Sequence, residues 1–376
     1  MGRVILKNLE EIKDFVRGCT FYGTGGGGTP ADGIKILEKV LNAGKKIEWV
    51  DKDEIDEDGY SVCPFLMGSI APWTEELKRE MASFGLEKQL EDNLLRRAVE
   101  LLAEHMDVEP EVIVPIELGG SNTPTAVAAA SELGIKVVDG DYTGRAIPEI
   151  PQTTPFLHDK KIFPISSWDK WGDICYIDDA ANPLMAERIG KLISAAAYGL
   201  TGQAGFLMPI REMKNIVISG TLTECYQTGK LIREAREACR NPIIALTEKQ
   251  GAHVLFKGKV NDKNWEDKNG YYWGTHDIKG TKEFEGDNFR IWFKNENHVS
   301  WYNSKPYVTS PDMIIVVRSD DGEPLANPQV EVDMDVTVIG IPARTEFLTE
   351  KGIDILGPRH FAYDIEYRPF DEVLNK

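Results

Sequence analysis

At 376 residues the chain is longer than one hydrophobic core usually supports, so two domains are expected, and 42% hydrophobic with 28% charged residues excludes a disordered chain. The 61 acidic against 43 basic side chains leave a net charge of −18, which repels phosphate backbones and anionic bilayers; nucleic acid and membrane are not expected partners, although the same excess also serves plain solubility. No apolar run approaches the roughly 20 residues of a membrane helix, and the opening Met1–Lys7 turns polar too soon for a secretory core.

Asn8 with Glu11 predicts a capped helix running to about Arg17. Gly23-Thr-Gly-Gly-Gly-Gly-Thr-Pro30 follows, where Thr29 is an N-cap and Pro30 the first residue of a helix ending near Gly44. Ile47–Val50 reads as a strand closed by Asp51. Leu86, Leu90, Leu94, Ala98, Leu101 and Leu102 recur every three or four residues and predict one long amphipathic helix. Val112–Glu117 is an apolar run whose Pro115 places it at a sheet edge or a bulge. Thr123-Pro124 opens an alanine-rich helix to Leu133, and Lys136–Asp139 is the next strand, so a crossover unit and an α/β layer are expected.

Prolines 148, 151, 155 and 164 mark a connector between domains. Helices are predicted near 183–198 and 226–239. From His253 onward Val254–Phe256, Phe289–Phe293, Met313–Val317 and Val336–Ile339 read as strands. The expected architecture is therefore α/β plus β. Residues 1–165 form a layered α/β domain with a mixed sheet, and 166–376 a β-rich domain with a few helices.

Gly23-x-Gly25-x-x-Gly28, with Asp51 after the next strand, fits the dinucleotide fingerprint, but a helix instead of a strand precedes it. No Lys-Ser/Thr closes a phosphate loop, so no nucleotide cofactor is expected. Two readings of Gly25, Gly26, Gly27, Gly28 and Thr29 stay open. One is a cradle of backbone N–H groups at a helix start that binds substrate; the other is a packing turn that needs small residues.

Asp139 and Asp141 follow a strand and point the same way, with Glu117 ending the neighbouring run in the same sense. Three carboxylates on one rim suit a divalent cation or a general base with a raised pKa, with Asp139, Asp141 and His276 as candidate ligands. The competing reading pairs Asp139 or Asp141 with Arg145 in a structural salt bridge. The six histidines show no ligand spacing, and a lone histidine such as His276 is more often structural. Five cysteines without a C-x-x-C pair argue for reduced thiols, hence a cytoplasmic location.

Several segments together resemble the S-methyl thiohydantoin desulfurase-like family. They are Gly23–Pro30, Gly68-Ser69, Glu117-Leu-Gly-Gly-Ser-Asn122, Val138-Asp-Gly-Asp-Tyr-Thr-Gly-Arg-Ala-Ile-Pro-Glu149, Asn295-Glu-Asn297, Ser310-Pro-Asp312, Val338-Ile-Gly-Ile-Pro-Ala343 and Gly357-Pro-Arg-His-Phe-Ala-Tyr-Asp364. Ala362 stands where glycine is expected. The resemblance implies removal of sulfur from a thiohydantoin-type ring, or hydrolysis of a related cyclic amide, with a bound divalent metal as an expected aid. Asp139, Asp141, Glu117 and Arg145 are the expected catalytic groups; Asn122, Asn297 and Asp312 suit the flat donor–acceptor edge of such a ring. A small-molecule substrate is expected, a homo-oligomer is left open, and a non-catalytic accessory subunit of a hydantoin-processing system is the alternative.

Overall fold

A computed structural model of the chain describes residues 3–69, 73–90, 93–249 and 251–374. Its front layer is a six-stranded mixed sheet. Tyr60–Gly68, Pro110–Ile113 and Lys136–Val137 run parallel, and Leu200–Pro209, Ile165–Trp168 and Ile174–Ile177 extend the sheet antiparallel from the other side of Tyr60–Gly68. The helix Asn122–Leu133 is the crossover between the second and third parallel strands, as its flanking apolar runs require.

The rear layer is a seven-stranded antiparallel sheet. Its order is Lys305–Thr309, Glu296–Tyr302, Asn288–Lys294, Tyr271–Gly280, His253–Lys268, Asp335–Ile341 and Met313–Arg318. Alternation along its last two strands divides two cores. Met313, Ile315, Val317 and Ile339 face the helix Leu9–Tyr22 and its neighbours, whereas Ile314, Val316, Val336 and Val338 face Leu255, Phe256 and Phe289. Each fully buried Val or Ile on these strands contributes about 1.5–3 kcal/mol. The expected architecture of an α/β layer followed by a β-rich part is what forms.

Several local expectations need correction. The first helix, expected to end near Arg17, runs on through Cys19–Tyr22 and stops at Gly23. Leu86–Leu90 is not helical; Asn93, whose Oδ1 accepts the Leu95 and Arg96 N–H groups, starts the helix Leu94–Met106. The strand Pro110–Ile113 is internal to the sheet and ends before Pro115, which therefore removes no ladder bond. Residue 165, placed at the domain boundary, begins a strand of the front sheet, and Leu200–Pro209 inserts between that strand and Tyr60–Gly68. Among the described residues no helix is long and apolar enough to cross a membrane.

Candidate active site

Three loops meet at the front of the crossover helix. The Gly27 carbonyl accepts the N–H groups of Ser121 and Asn122 at 2.9 and 3.0 Å, so the glycine loop sits on the helix start. Gly27 has φ +71°, and a Cβ there would lie 2.4 Å from the Gly119 Cα. The two loops touch backbone to backbone, which explains their glycines. Thr123 Oγ1 donates to the Glu117 carbonyl and accepts from Gly119 N–H, both at 2.8 Å, and so fixes the bend that carries Glu117.

The rear sheet supplies the opposite wall. The bend between Asn288–Lys294 and Glu296–Tyr302 is held by Asn295, whose N–H donates to the Tyr272 carbonyl at 2.7 Å while its Oδ1 accepts the Tyr272 N–H at 2.8 Å. The Asn327 Nδ2 donates to the Asn295 carbonyl at 2.7 Å. Glu296 is thereby pressed against the glycine loop, its Oε1 1.9 Å from where a Gly26 Cβ would stand.

Between these walls lies a cavity of about 50 Å³, lined by Gly27, Gly28, Glu117, Asn122, Glu149, Glu187, Lys191, Asn295 and Glu296 with Phe65, Met67 and Ile147 as apolar wall. One water needs roughly 10–15 Å³, so the space suits a few waters, or the reacting edge of a small planar ring whose remainder reaches outside it.

The carboxyls of this cavity differ in state. Glu117 accepts Asn122 Nδ2 and Ile147 N–H, both at 2.7 Å, yet burial outweighs these donors and pushes it up to about 7. Glu296 is 1% exposed, and its Oε2 has no hydrogen-bond partner among the described residues. Burial, then the nearby Glu117 charge, drive it well above the usual carboxylate range. Glu149 is the opposite case. Burial alone would raise it, but His360 at 2.6 Å and Lys294 overcome this and hold it at about 2. Glu187 accepts Tyr271 Oη and Ile150 N–H at 2.9 Å each, and burial raises it. Lys191 donates to the Gly68 carbonyl at 3.3 Å and is lowered by burial. Lys191 and Lys294 both lie over the Tyr271 ring, 4.3 and 4.0 Å from its centre.

Of the expected residues, Glu117, Asn122, Gly27 and Gly28 come together here. Asp139 does not line the cavity. Its two oxygens accept Thr223 N–H at 3.0 Å and Thr223 Oγ1 at 2.6 Å and cap the helix Thr221–Glu237 from outside. Asp141 Oδ2 closes a turn, accepting Thr143 N–H, Thr143 Oγ1 and Gly144 N–H at 2.7–2.9 Å; burial raises the group to about 6. Neither is paired with Arg145, so the salt-bridge reading fails as well. Arg145 is buried, and its guanidinium donates to the carbonyls of Ala146, Asn297, Pro311 and Asp312 and to Thr24 Oγ1 at 3.0–3.2 Å. It clamps the glycine loop to the rear strands and does not line the cavity.

His276 is buried in the rear sheet with Nε2 3.0 Å from Asn327 Oδ1, and burial lowers it to about 3. Asp139, Asp141 and His276 thus do not form one ligand set. Among the described residues no group of three or more His, Cys, Asp or Glu is placed to hold a metal ion. Gly25 packs against Asn327 and gives its carbonyl to the Asn327 N–H at 2.7 Å. The Gly26 N–H donates to Gly23, not toward a ligand. Thr29 caps its helix as expected. Asn297 Nδ2 donates to Ile314, and Asp312 accepts Ala343 N–H and Tyr367 Oη; Asn295 and Glu296 take the cavity positions instead.

Glu149 and Glu296 lie inside segments already singled out by resemblance. Glu187 and Lys191 carried no signal, because Glu and Lys four apart on a helix read as a solvated pair.

The S-Me-THD-like N-terminal domain matches residues 10–179 and the S-Me-THD-like C-terminal domain residues 181–370. No curated protein matches the sequence. An X-ray crystal structure of a protein from Chromobacterium violaceum superposes with a TM-score of 0.74 at 19% identity, covering 98% of this chain and 100% of the other, and so shares the fold. With both domain models in register across nearly its whole length, the chain belongs to the S-methyl thiohydantoin desulfurase-like family.

Proposed function

We propose that the protein hydrolyses a thiohydantoin-type ring at its sulfur-bearing carbon, releasing a thiol or sulfide, with Glu117 as general base and Glu296 as general acid. The observation that carries this reading is the pair of buried carboxyls on one cavity with unequal support. Glu117 is braced by two donors and pushed up to about 7. Glu296 Oε2 has no hydrogen-bond partner among the described residues and lies 4.0 Å from His298 Nε2. Burial drives its carboxyl well above the usual carboxylate range, toward the protonated form.

In an S-methyl thiohydantoin the reacting carbon is doubly bonded to a ring nitrogen and singly bonded to sulfur. Glu117 takes a proton from water as its oxygen bonds to that carbon. The C=N electron pair moves to nitrogen, which takes the proton of Glu296. As the carbonyl forms, the C–S bond breaks, sulfur leaves with the proton held by Glu117, and the hydroxyl proton restores Glu296. Water adds, methanethiol departs and a hydantoin remains. With a thiohydantoin bearing an unsubstituted sulfur, the product is sulfide. Lys191 supplies positive charge beside the nitrogen during attack.

Purified protein incubated with an S-methyl thiohydantoin should release thiol, and Glu117→Gln and Glu296→Gln should each lower kcat by at least about 100-fold while remaining folded. Full activity in either folded variant, or no thiol release by the wild type, overturns the assignment.

A further inference from the structure

A second space borders the cavity. A vestibule of about 160 Å³ shares Gly28 and Leu200 with it, and its lining sets Trp73, Trp171 and Tyr198 beside polar Asp32, Gln89 and Lys170. The boundary between the two spaces lies where Tyr60–Gly68 pairs with Leu200–Pro209. There a Cβ on Gly68 would stand 2.1 Å from the Gly199 carbonyl oxygen, so the strand ends meet through glycines and leave Leu200 as the side chain between the two spaces.

The polar atoms of the vestibule's indoles are already engaged. Trp73 Nε1 donates to the Tyr198 carbonyl at 2.7 Å and Trp171 Nε1 to the Ala197 carbonyl at 3.0 Å. Both rings hang from one turn at the end of the helix Pro183–Ala196, whose inner face carries Glu187 and Lys191 into the cavity. With their N–H groups satisfied, what the rings offer a ligand is apolar surface. Trp73 keeps 37% of its surface exposed inside this concave space instead of joining a core.

We propose that the vestibule is a binding subsite for an apolar, by preference aromatic, substituent on the ring carbon remote from sulfur. This rests on the reading of the inner cavity as the ring site. A space of about 50 Å³ is too small for a substituted ring, so a side chain on the ring must lie outside it, and the neighbouring space beyond Leu200 presents aromatic faces. Substrates would then be rings derived from amino acids with large apolar side chains.

Two measurements test this on the full chain. The first compares S-methyl thiohydantoins bearing hydrogen or benzyl on that carbon. The benzyl compound should show a kcat/KM at least about tenfold higher, mostly through KM, and Trp171→Ala should reduce the ratio to within about twofold, with Trp171→Phe recovering most of it. The second follows binding of hydantoin and 5-benzylhydantoin by tryptophan fluorescence and calorimetry, which needs no turnover. The benzyl ligand should bind at least about tenfold tighter and alter the indole emission, and Trp171→Ala should abolish the difference. Should Trp171→Ala fail to fold, Trp73→Ala, at a partly exposed indole, provides the same comparison. Equal binding of both ligands by the wild type, or a preference that survives truncation of the indole, overturns the subsite. Tight, indole-dependent binding of the benzyl ligand without thiol release from any ring overturns the hydrolytic reading alone.

Discussion

Asn122 bridges the front sheet to the candidate base: its Nδ2 donates to Glu117 Oε1 at 2.7 Å while its Oδ1 accepts the Leu66 N–H at 3.0 Å. The carboxyl is thus aimed by a side chain that is itself fixed to a strand. Asn122→Ala removes a donor that favours the charged form of Glu117, so the base should titrate at higher pH. The expected result is a fall in kcat of about tenfold or more, with the acidic limb of the pH–rate profile moved upward. An unchanged limb with lowered kcat would assign Asn122 a role in packing only.

The two carboxyls predict the shape of that profile. Glu117 must be ionised and burial has raised it to about 7, so kcat/KM should climb as pH passes through about 7. Glu296 must be protonated and lies well above the ordinary value of 4.5, so the rate should fall again on the alkaline side. Steady-state assays across this range should give a bell, and Glu117→Gln should remove its acidic limb along with most of the rate.

The elements that were legible in the sequence are those whose ends are set by neighbouring residues. Asn8 accepts from Glu11 N–H and Thr29 from Asp32 N–H, so both helix starts follow from local cap chemistry. The site was legible where the chain folds back on itself nearby, as from Glu117 to Asn122, and at Gly27 and Gly28 of the glycine loop. Asp139 and Asp141 point as strand ends do, but the partner that claims Asp139, Thr223, is 84 residues away. Pro183–Ala196 is the clearest inversion. Glu187 and Lys191 are buried on it while Leu184 and Leu192 remain 56% and 60% exposed, so amphipathic pattern reads the helix the wrong way round. Spacing of apolar residues likewise joined Leu86 and Leu90 to a helix that Asn93 begins, because periodicity carries no information on where an N-cap interrupts it.

Stability should depend on pH in two opposed ways. Burial raises Glu117 from 4.5 to about 7, Asp141 from 3.8 to about 6 and Asp312 from 3.8 to about 7. For these groups the folded chain binds the proton more tightly than the unfolded one. Their contribution is fully present below about 4 and is lost as pH rises to about 7. Glu149, lowered to about 2 from 4.5, contributes above 4.5 and is lost as pH falls toward 2. The buried imidazoles of His276, lowered from 6.5 to about 3, and His298 likewise contribute above about 6.5 and lose it on acidification, but two groups stand against three raised carboxyls. Urea midpoints should therefore be higher near pH 5 than near pH 8, and Glu117→Gln should reduce that difference. A midpoint that rises steadily from pH 5 to 8 would contradict the buried state of these acids.

Asp139 is expected to matter for the fold and not for the chemistry. It satisfies the Thr223 N–H and hydroxyl in the first turn of the helix Thr221–Glu237, the role of an N-cap supplied from another strand. Asp139→Ala should cost about 1–2 kcal/mol in urea unfolding, as cap removal does elsewhere, and leave kcat within about twofold. A loss of turnover by about 100-fold in a variant of near-normal stability would return Asp139 to the active site.

Arg145 should be more sensitive still. Its guanidinium carries its charge in a closed interior, where burial lowers it to about 10, and five oxygens from residues 24, 146, 297, 311 and 312 surround it. Lysine keeps the charge but presents a compact ammonium with three donors, so Arg145→Lys leaves buried carbonyls without a donor at about 1–3 kcal/mol each. Equilibrium unfolding of Arg145→Lys should show a loss of at least about 2 kcal/mol. The folded fraction should still turn over, because the side chain holds the glycine loop against the rear sheet without touching the cavity. A variant of wild-type stability and no activity would mean that the guanidinium meets the substrate after all.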